Sequence, residues 1–184
     1  MMVAAGPTTK AAHVQPDVTL HGTQTTLRPM RSEDAPALAE ILAQPEVRRW
    51  WPHYDQERVH AELVEGTDTV AFVVEVAGEL VGAILYVEEP SPDYRHASID
   101  VFLHPEWHGK GLGTDAVRTL ARHLIHDRGH HRLAIDPASA NEKAIRTYTR
   151  VGFRPVGLMR SYERTADGGW QDCLLMDLLG DELS

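Results

Sequence analysis

The segment His108-Gly109-Lys110-Gly111-Leu112-Gly113-Thr114 joins two stretches of different periodicity and decides the fold of this chain. Before it, apolar residues recur at every second position from Ala97 to Leu103, which predicts a strand. After it, apolar residues recur at helical spacing from Leu112 to Ile125. A glycine-rich turn therefore leads from a strand into a helix. The free N–H groups and positive dipole end of that helix favour a phosphate group as the ligand; the alternative is an ordinary strand-to-helix loop whose glycines only allow a tight turn.

Two familiar phosphate-binding motifs do not match this segment. The Walker A motif fails because position 104 is His and because Lys110 is followed by Gly111 instead of Ser or Thr. The dinucleotide fingerprint fails because Thr114 stands where its third glycine belongs.

Length and composition indicate a single globular domain. The chain has 184 residues, of which 42% are hydrophobic, and this suits one domain with a sizeable core. Residues 1–23 are rich in Ala, Thr, Pro and Gly without a clear period, so we expect an N-terminal tail or arm there and one domain over 24–184.

Charge and cysteine content indicate which binding partners and which cellular location to expect. A net charge of −9 argues against a nucleic-acid surface, and it suits either a cationic substrate or simple solubility. No apolar run reaches the ~20 residues of a membrane span, and no signal peptide is evident. The single cysteine, Cys173, lies in an apolar run and is predicted to be a core residue of a cytoplasmic protein.

The order of predicted elements indicates an α/β (α+β) fold. One strand and two helices come first, then three strands, and then strand–helix units that end in two further strands. We expect a mixed, mostly antiparallel sheet of about six to seven strands with helices on both faces. A capping box, Ser139-x-x-Glu142, predicts that the last helix starts near Ala140.

A second motif agrees with the glycine loop. Residues 141–153 read Asn-x-x-Ala-x-x-x-Tyr-x-x-x-Gly-Phe, and Asn141, Ala144 and Tyr148 share one helical face. Together the two motifs resemble the GNAT superfamily of acetyl-CoA-dependent N-acetyltransferases, whose loop reads Gln/Arg-x-x-Gly-x-Gly/Ala. His108 departs from the Gln or Arg of that pattern.

The resemblance implies roles for these residues. The glycine loop would hold the CoA pyrophosphate through backbone N–H groups from Lys110 to Thr114. Val101 and Leu103 would pair with the pantetheine arm, and Asn141, with Ala144 beside it, would contact the same arm. Tyr148 would protonate the departing thiolate; the alternative is a buried tyrosine that only packs the helix on the sheet. These cofactor-site residues are Val101, Leu103, His108, Gly109, Lys110, Gly111, Leu112, Gly113, Thr114, Asn141 and Ala144.

A narrower resemblance is to the aminoglycoside 6'-N-acetyltransferases. It is carried by the pair Trp50-Trp51, by Asp100 in the strand before the loop, and by Asp136-Pro137 ahead of the second motif. Some siderophore-type N-acyltransferases also carry a Trp pair near this place. The resemblance implies a substrate site for several ammonium groups, formed by Trp50, Trp51, Asp100, Asp136 and Asp172.

The residues themselves leave alternatives open. Asp100 is either a solvated strand residue or a substrate ligand, Asp136 either bonds its own turn or binds substrate, and the Trp pair either packs a core patch or stacks on a sugar. We expect direct transfer in a ternary complex, with Asp100 as a base if desolvation raises its pKa, or otherwise as the group that orients the ammonium. His104 and His108 do not form a metalloprotease pattern, so no metal is expected.

The leading hypothesis is therefore acetyl transfer from acetyl-CoA to the 6'-amine of an aminoglycoside. The alternatives are acylation of a siderophore lysine, a polyamine or a protein N-terminus, and a CoA-binding sensor without turnover. We expect a small cationic amine as partner, no nucleic acid, no membrane, and either a monomer or a homodimer.

Overall fold

The computed structural model describes residues 17–183, which form one eight-stranded sheet with helices on both faces. The sheet order is β1-β2-β3-β4-β5-β6-β8-β7, and neighbouring strands are antiparallel except β5 and β6. The predicted mixed, mostly antiparallel sheet is thus confirmed. The strands are β1 Leu20–His21, β2 Thr26–Pro29, β3 Thr69–Val76, β4 Glu79–Glu89, β5 His96–Leu103, β6 Arg132–Ile135, β7 Arg154–Arg164 and β8 Trp170–Leu179.

The first strand lies in the segment that was predicted as a tail. Leu20 pairs with Leu27 and His21 pairs with Thr26, which adds an eighth strand to the expected six or seven. A two-residue strand carries no periodicity, so the sequence pattern could not reveal it. Residues 1–16 of the predicted tail lie outside the described residues.

The helices divide between the two faces as predicted. One group is packed on the first half of the sheet and the other covers the β5–β6 crossover. Helix α3 continues as a π-helical turn over His60–Val64, and α4 continues similarly over His123–Asp127. The helices are α1 Ala35–Ala43, α2 Pro45–Arg48, α3 Gln56–Val59, α4 Leu112–Arg122 and α5 Glu142–Val151, with 3-10 turns at Ser32–Asp34 and Pro105–Trp107.

Two apolar clusters hold the sheet between these layers. The first joins the α4–α5 side of the sheet and includes Phe72, Ile99, Leu120 and Tyr148. The second joins the α1–α3 side and includes Phe102. Ile99 and Phe102 therefore face opposite sides of β5, as the alternation of a strand requires.

Helix α5 begins two residues later than predicted. Ala138 forms an isolated bridge with Cys173, and the Ser139 N–H donates to the Asp172 carbonyl at 2.8 Å, so the chain still pairs with β8 here and makes a turn before the helix. Asn141 is the residue that caps the helix, because its Oδ1 accepts from the Ala144 N–H at 3.1 Å. The predicted capping box at Ser139 is therefore wrong.

A buried carboxylate fastens the N-terminal segment to α4. Asp115 Oδ1 accepts from the Thr23 N–H, and its Oδ2 accepts from the N–H groups of Gln24 and Thr25 and from the Thr25 hydroxyl, at 2.8–3.0 Å. These bonds hold the pKa of Asp115 below its ordinary value despite burial. The turn between β1 and β2 is thereby fixed to the first turn of α4.

Across residues 17–183, no helix has both the length and the apolar character that crossing a membrane requires.

Candidate active site

The glycine loop forms the N-terminus of α4 as the sequence predicted. Gly109 and Gly111 have φ values of +75° and +83°, a conformation that residues with a Cβ rarely adopt. Gly111 is the N-cap, and the first intrahelical bond runs from the Asp115 N–H to the Gly111 carbonyl at 3.0 Å. The N–H groups of Leu112, Gly113 and Thr114 precede that bond and point out of the helix end, where an anion is favoured.

The two basic side chains of the loop are engaged with the protein. His108 Nε2 lies 2.8 Å from the Leu103 carbonyl, and since a carbonyl only accepts, Nε2 carries the proton. The Lys110 ammonium lies 4.5 Å from the centroid of the Trp107 ring. His108 therefore ties the loop to the end of β5, and the loop offers a ligand chiefly its backbone.

The parallel strands β5 and β6 separate beside this loop. They pair only at Ala97–Leu133 and Ser98–Ala134, although β5 continues to Leu103. We call the gap beyond these pairs the fork. It leaves the β6-facing edge of β5 open over its last residues.

The open edge of β5 presents backbone hydrogen-bonding groups to the fork. Leu103 is opposite Gly82, and the His104 N–H bonds to the Val81 carbonyl at 2.8 Å, so Leu103 turns its own N–H and C=O away from β4. Strand alternation gives Val101 the same orientation. Both residues predicted to pair with pantetheine thus present strand-like groups there, although His108 already bonds the Leu103 carbonyl.

Two carboxylates flank the fork on the α1–α3 face. Asp100 lies two residues beyond Ser98 and Asp136 lies two residues beyond Ala134, so they occupy equivalent positions on the two strands where these separate. Burial, then the charges of Asp136 and Glu163, raise the pKa of Asp100 to about 7. Many protein atoms surround Asp100, although the residue itself is exposed to solvent. The pKa of Asp136 is also raised, first by burial and then by Glu163.

Tyr148 reaches the fork from the opposite face. It is buried in the α4–α5 cluster, with its ring 6.3 Å from that of Phe153 in an edge-on contact. Burial, followed by the charges of Asp100 and Asp136, raises its pKa well above the ordinary value for a phenol. Two carboxylates and a protonated phenol from opposite faces of the sheet therefore meet at the fork.

Asn141 caps α5 and Ala144 lies within it, both near Tyr148. The side-chain oxygen of Asn141, however, already accepts a hydrogen bond. Its Oδ1 accepts the capping bond, so the side-chain donor that it offers to a ligand is the amide nitrogen. Ala144 is half-buried against the α4–α5 cluster.

The two tryptophans have different surroundings. Trp51 packs edge-on against Phe102 at 5.1 Å and against Tyr54 at 5.6 Å, on the same face of β5 as Asp100. Trp50 instead carries the guanidinium of Arg49 over its ring, at 4.5 Å. Of the predicted pair, Trp51 is the member that borders the site.

Tyr54 and Trp51 together form an aromatic wall beside the fork. The sequence pattern did not point to Tyr54. Its hydroxyl donates to Glu62 Oε2 at 2.8 Å, and Arg58 lies 4.2 Å from its ring centroid while bonding Glu62 Oε1 at 2.7 Å. Burial and then Glu62 raise its pKa, with a smaller contribution from the charge of Asp100. The aromatic-rich run after Trp50 is the only sequence signal that could have pointed to it.

Strand β7 contributes two further residues that were missed. Glu163 raises the pKa of both Asp100 and Asp136, while the neighbouring Tyr162 hydroxyl opposes the rise at Asp136. The Asp172 carboxylate, predicted to bind substrate, accepts from the Ser161 N–H at 2.7 Å. A hydrogen bond to the backbone of β7 therefore holds the Asp172 side chain near the site.

Cys173 is a buried core residue, as predicted. Burial and the neighbouring Glu163 raise the pKa of its thiol to about 12, so the thiolate is scarce at neutral pH. Within the described part of the chain, no group of three or more His, Cys, Asp or Glu side chains is arranged to hold a metal ion.

Known proteins agree with this architecture. The family described as "Acetyltransferase (GNAT) domain" matches residues 24–154. The chain is 30% identical over 160 residues to aminoglycoside N(6')-acetyltransferase type 1 of Klebsiella pneumoniae, with 76% of this chain and 79% of that protein covered. It is 26% identical over 156 residues to spermidine N(1)-acetyltransferase of Escherichia coli (strain K12), with 82% and 83% covered.

A solved structure gives the same result at the level of the fold. Mycobacterium smegmatis RimJ in complex with CoA-disulfide superposes with a TM-score of 0.79 at 26% sequence identity, covering 90% of this chain and 89% of that one. The family match spans most of the chain and includes the glycine loop, the fork and α5. The chain belongs to the GNAT acetyltransferase family.

Proposed function

We propose that this protein transfers the acetyl group of acetyl-CoA to the 6'-amine of an aminoglycoside. The proposal rests on one observation. Asp100, Asp136 and Tyr148 lie together at the fork, beside the aromatic wall of Trp51 and Tyr54. Such a site combines carboxylates for a polycation, an aromatic surface for a sugar ring, and an acid and a base for acyl transfer.

The loop and the open strand edge fit acetyl-CoA. The N–H groups of Leu112, Gly113 and Thr114 suit a pyrophosphate, and the backbone groups of Val101 and Leu103 suit the amides of pantetheine. Acetyl-CoA would supply the thioester, and the chain would hold the cofactor so that the thioester carbonyl carbon lies at the fork.

Asp100 is suited to accept a proton from the attacking amine. A base works best when its pKa lies near the working pH, and the value of about 7 for Asp100 meets this condition. An ammonium group next to Asp100 would favour the carboxylate form and lower this pKa, because opposite charges stabilise each other. Asp100 would therefore first bind the ammonium as a carboxylate and then accept its proton as the amine becomes the nucleophile.

Tyr148 is suited to donate a proton to the leaving thiolate. Its raised pKa keeps the phenol protonated at neutral pH, and its position on the α5 side separates it from the amine-binding face. The raised pKa of Cys173 argues against an acyl-cysteine intermediate. Direct attack of the amine on the thioester is the route that these residues support.

The flanking groups favour a substrate with several ammonium groups. Asp136 and Glu163 lie close enough to Asp100 to raise its pKa, so a second positive charge would relieve their mutual repulsion. Trp51 and Tyr54 add apolar surface next to these charges. The similarity to an aminoglycoside N(6')-acetyltransferase supports a sugar-bearing polycation.

A linear polyamine is the second candidate. The similarity to a spermidine N(1)-acetyltransferase extends over 82% of the chain, and a row of carboxylates also suits a flexible polyamine. The aromatic wall favours the aminoglycoside, because a polyamine has no ring to stack on it.

The test compares neomycin with paromomycin, which differ in carrying an amino or a hydroxyl group at the 6' position. We expect acetyl-CoA-dependent acetylation of neomycin at the 6'-nitrogen, seen by mass spectrometry and NMR of the product, and little product from paromomycin. Equal turnover of both would exclude the 6' position. Turnover of spermidine alone would replace the aminoglycoside with the polyamine.

A further inference from the structure

The β7–β8 hairpin contains a strained bulge next to the fork. Met159 is opposite Cys173 and Glu163 is opposite Gln171, so three residues of β7, 160–162, face the single residue Asp172 of β8. Ser161, in the middle of the bulge, has a φ of +50°. A residue with a Cβ is held in this left-handed conformation only if the surrounding structure stabilises it.

Asp172 supplies that stabilisation. Its Oδ1 accepts from the Ser161 N–H at 2.7 Å, a short bond to a charged acceptor. The carbonyl of the same residue accepts from the Ser139 N–H at 2.8 Å. Asp172 thus links the bulge of β7 to the segment that follows Asp136.

The bulge changes which side chains reach Asp136. In a regular strand Tyr162 and Glu163 would point to opposite faces. Here both side chains act on the Asp136 carboxylate: the Tyr162 hydroxyl favours its charged form, and the charge of Glu163 disfavours it. Tyr162 keeps 54% of its surface exposed, so it can also contact a ligand in the fork.

We propose that Asp172 and the left-handed Ser161 hold Tyr162 against Asp136, which makes Tyr162 a further substrate-contacting residue and Asp172 a positioning residue. This inference rests on the proposed function, because it assigns Tyr162 to the site for the amine substrate. It changes the role expected for Asp172, whose carboxylate acts through the β7 backbone instead of on the substrate.

Several groups face Asp136 and must be considered in any pH measurement. They come from four elements around it: Asp100 of β5, Tyr148 of α5, Tyr162 and Glu163 of β7, and Cys173 of β8. Only Tyr162 among the β7 pair favours the charged form of Asp136, since Glu163 repels it.

The test measures the pKa of Asp136 by carbon-13 NMR of the full chain, with the signal assigned by Asp136→Asn. Tyr162→Phe should raise this pKa by about 0.5–1 unit, because a hydroxyl that favours the charged carboxylate is removed. The pKa of Asp136 should be higher in Asp172→Ala than in Asp172→Asn. Both variants remove the same charge, but only asparagine keeps an oxygen for the Ser161 N–H.

Ser161→Gly is the control, since it keeps the N–H group and accepts a positive φ, and the pKa of Asp136 should stay at the wild-type value. Kinetics with the acetylated amine add a second readout. Tyr162→Phe should raise KM several-fold with little change in kcat.

The outcomes separate this inference from the proposed function. A wild-type Asp136 pKa in Tyr162→Phe, or equal values in Asp172→Ala and Asp172→Asn, would overturn the inference even if the enzyme acetylates amines normally. A wild-type protein that turns over no amine would contradict the proposed function and the substrate role of Tyr162 with it, whereas the positioning by Asp172 would still be decided by NMR.

Discussion

Asp100 and Asp136 occupy equivalent places on two parallel strands, each two residues beyond the Ser98–Ala134 pair at which β5 and β6 separate. The separation opens the sheet at the level of the two carboxylates. Burial first, and then the charges of Asp136 and Glu163, raise the pKa of Asp100 to about 7. The register of one strand pair thus contributes to the chemical property on which the proposed reaction depends.

Replacing Asp100 by Asn should reduce kcat/KM for the amine by about 10²–10⁴, the usual contribution of a general base. The wild-type profile should fall below about pH 7, where Asp100 becomes protonated, and this limb should be absent from the variant. Normal acetylation of kanamycin by Asp100→Asn would show that the carboxylate is not needed.

The same substitution should affect stability in a pH-dependent way. The folded-state pKa of Asp100 is raised, so its contribution to stability is complete below its ordinary value of 3.8 and is lost as the pH rises through about 7. The Tm of Asp100→Asn relative to the wild type should therefore increase from pH 4 to pH 8. A difference that is constant with pH would mean that the Asp100 pKa is unperturbed.

Replacing Tyr148 by Phe should lower kcat by about 10–10³ with little effect on the affinity for acetyl-CoA, because only the proton donor is removed. An acetyl thioester of a more acidic thiol should recover much of the lost kcat, because the departing thiolate then needs less protonation. Unchanged turnover and pH profile in Tyr148→Phe would leave Tyr148 with the packing role alone.

Gly111→Ala should weaken acetyl-CoA binding by tenfold or more, as measured by calorimetry. Gly78→Ala is a matched control, because the two glycines have φ values of +83° and +84°. Both variants should lose about 1 kcal/mol of stability from the left-handed backbone, but only the change at the α4 N-terminus should affect the ligand. Equal affinities in the two variants would rule out the loop as the pyrophosphate site.

Trp51→Leu should raise KM for the amine several-fold, while Trp50→Leu should change it little. Trp51 is packed on Phe102 and Tyr54 beside Asp100, whereas Trp50 stacks with Arg49. Steady-state kinetics with kanamycin would check this, and the opposite order of the two KM values would assign the substrate contact to Trp50.

Asp115→Ala should destabilise the fold by about 3 kcal/mol in urea unfolding, because several donors lose a charged acceptor. The pKa of Asp115 is lowered, so its stabilisation is present above the ordinary carboxyl value and disappears as the pH falls below it. Asp93→Ala, at an exposed loop position, should change stability by less than about 0.5 kcal/mol. Similar losses in both variants would contradict the anchoring role.

The sequence predicted those parts of the site that depend on local pattern. Apolar periodicity on both sides of Gly111 located β5 and α4, and the offsets from Asn141 placed Tyr148 on the inner face of α5. The start of α5 was misjudged because the pairing of Ala138 with β8 is a long-range contact.

Other parts of the site depend on tertiary structure and left no pattern in the sequence. Tyr54 joins the site through its contact with Trp51, which packs on Phe102 of β5. Tyr162 meets Asp136 only because a bulge forms opposite Asp172, and a bulge interrupts the alternation from which strand faces are predicted.

The most direct test of the account measures CoA release from acetyl-CoA by the purified protein, with kanamycin, neomycin, spermidine, lysine and a short peptide as acceptors. We predict release that requires an amine, with kcat/KM highest for the aminoglycosides and reduced by at least 10² in Asp100→Asn. Binding of acetyl-CoA without release in the presence of any of these amines would contradict the assignment of the fork as an acetyl-transfer site.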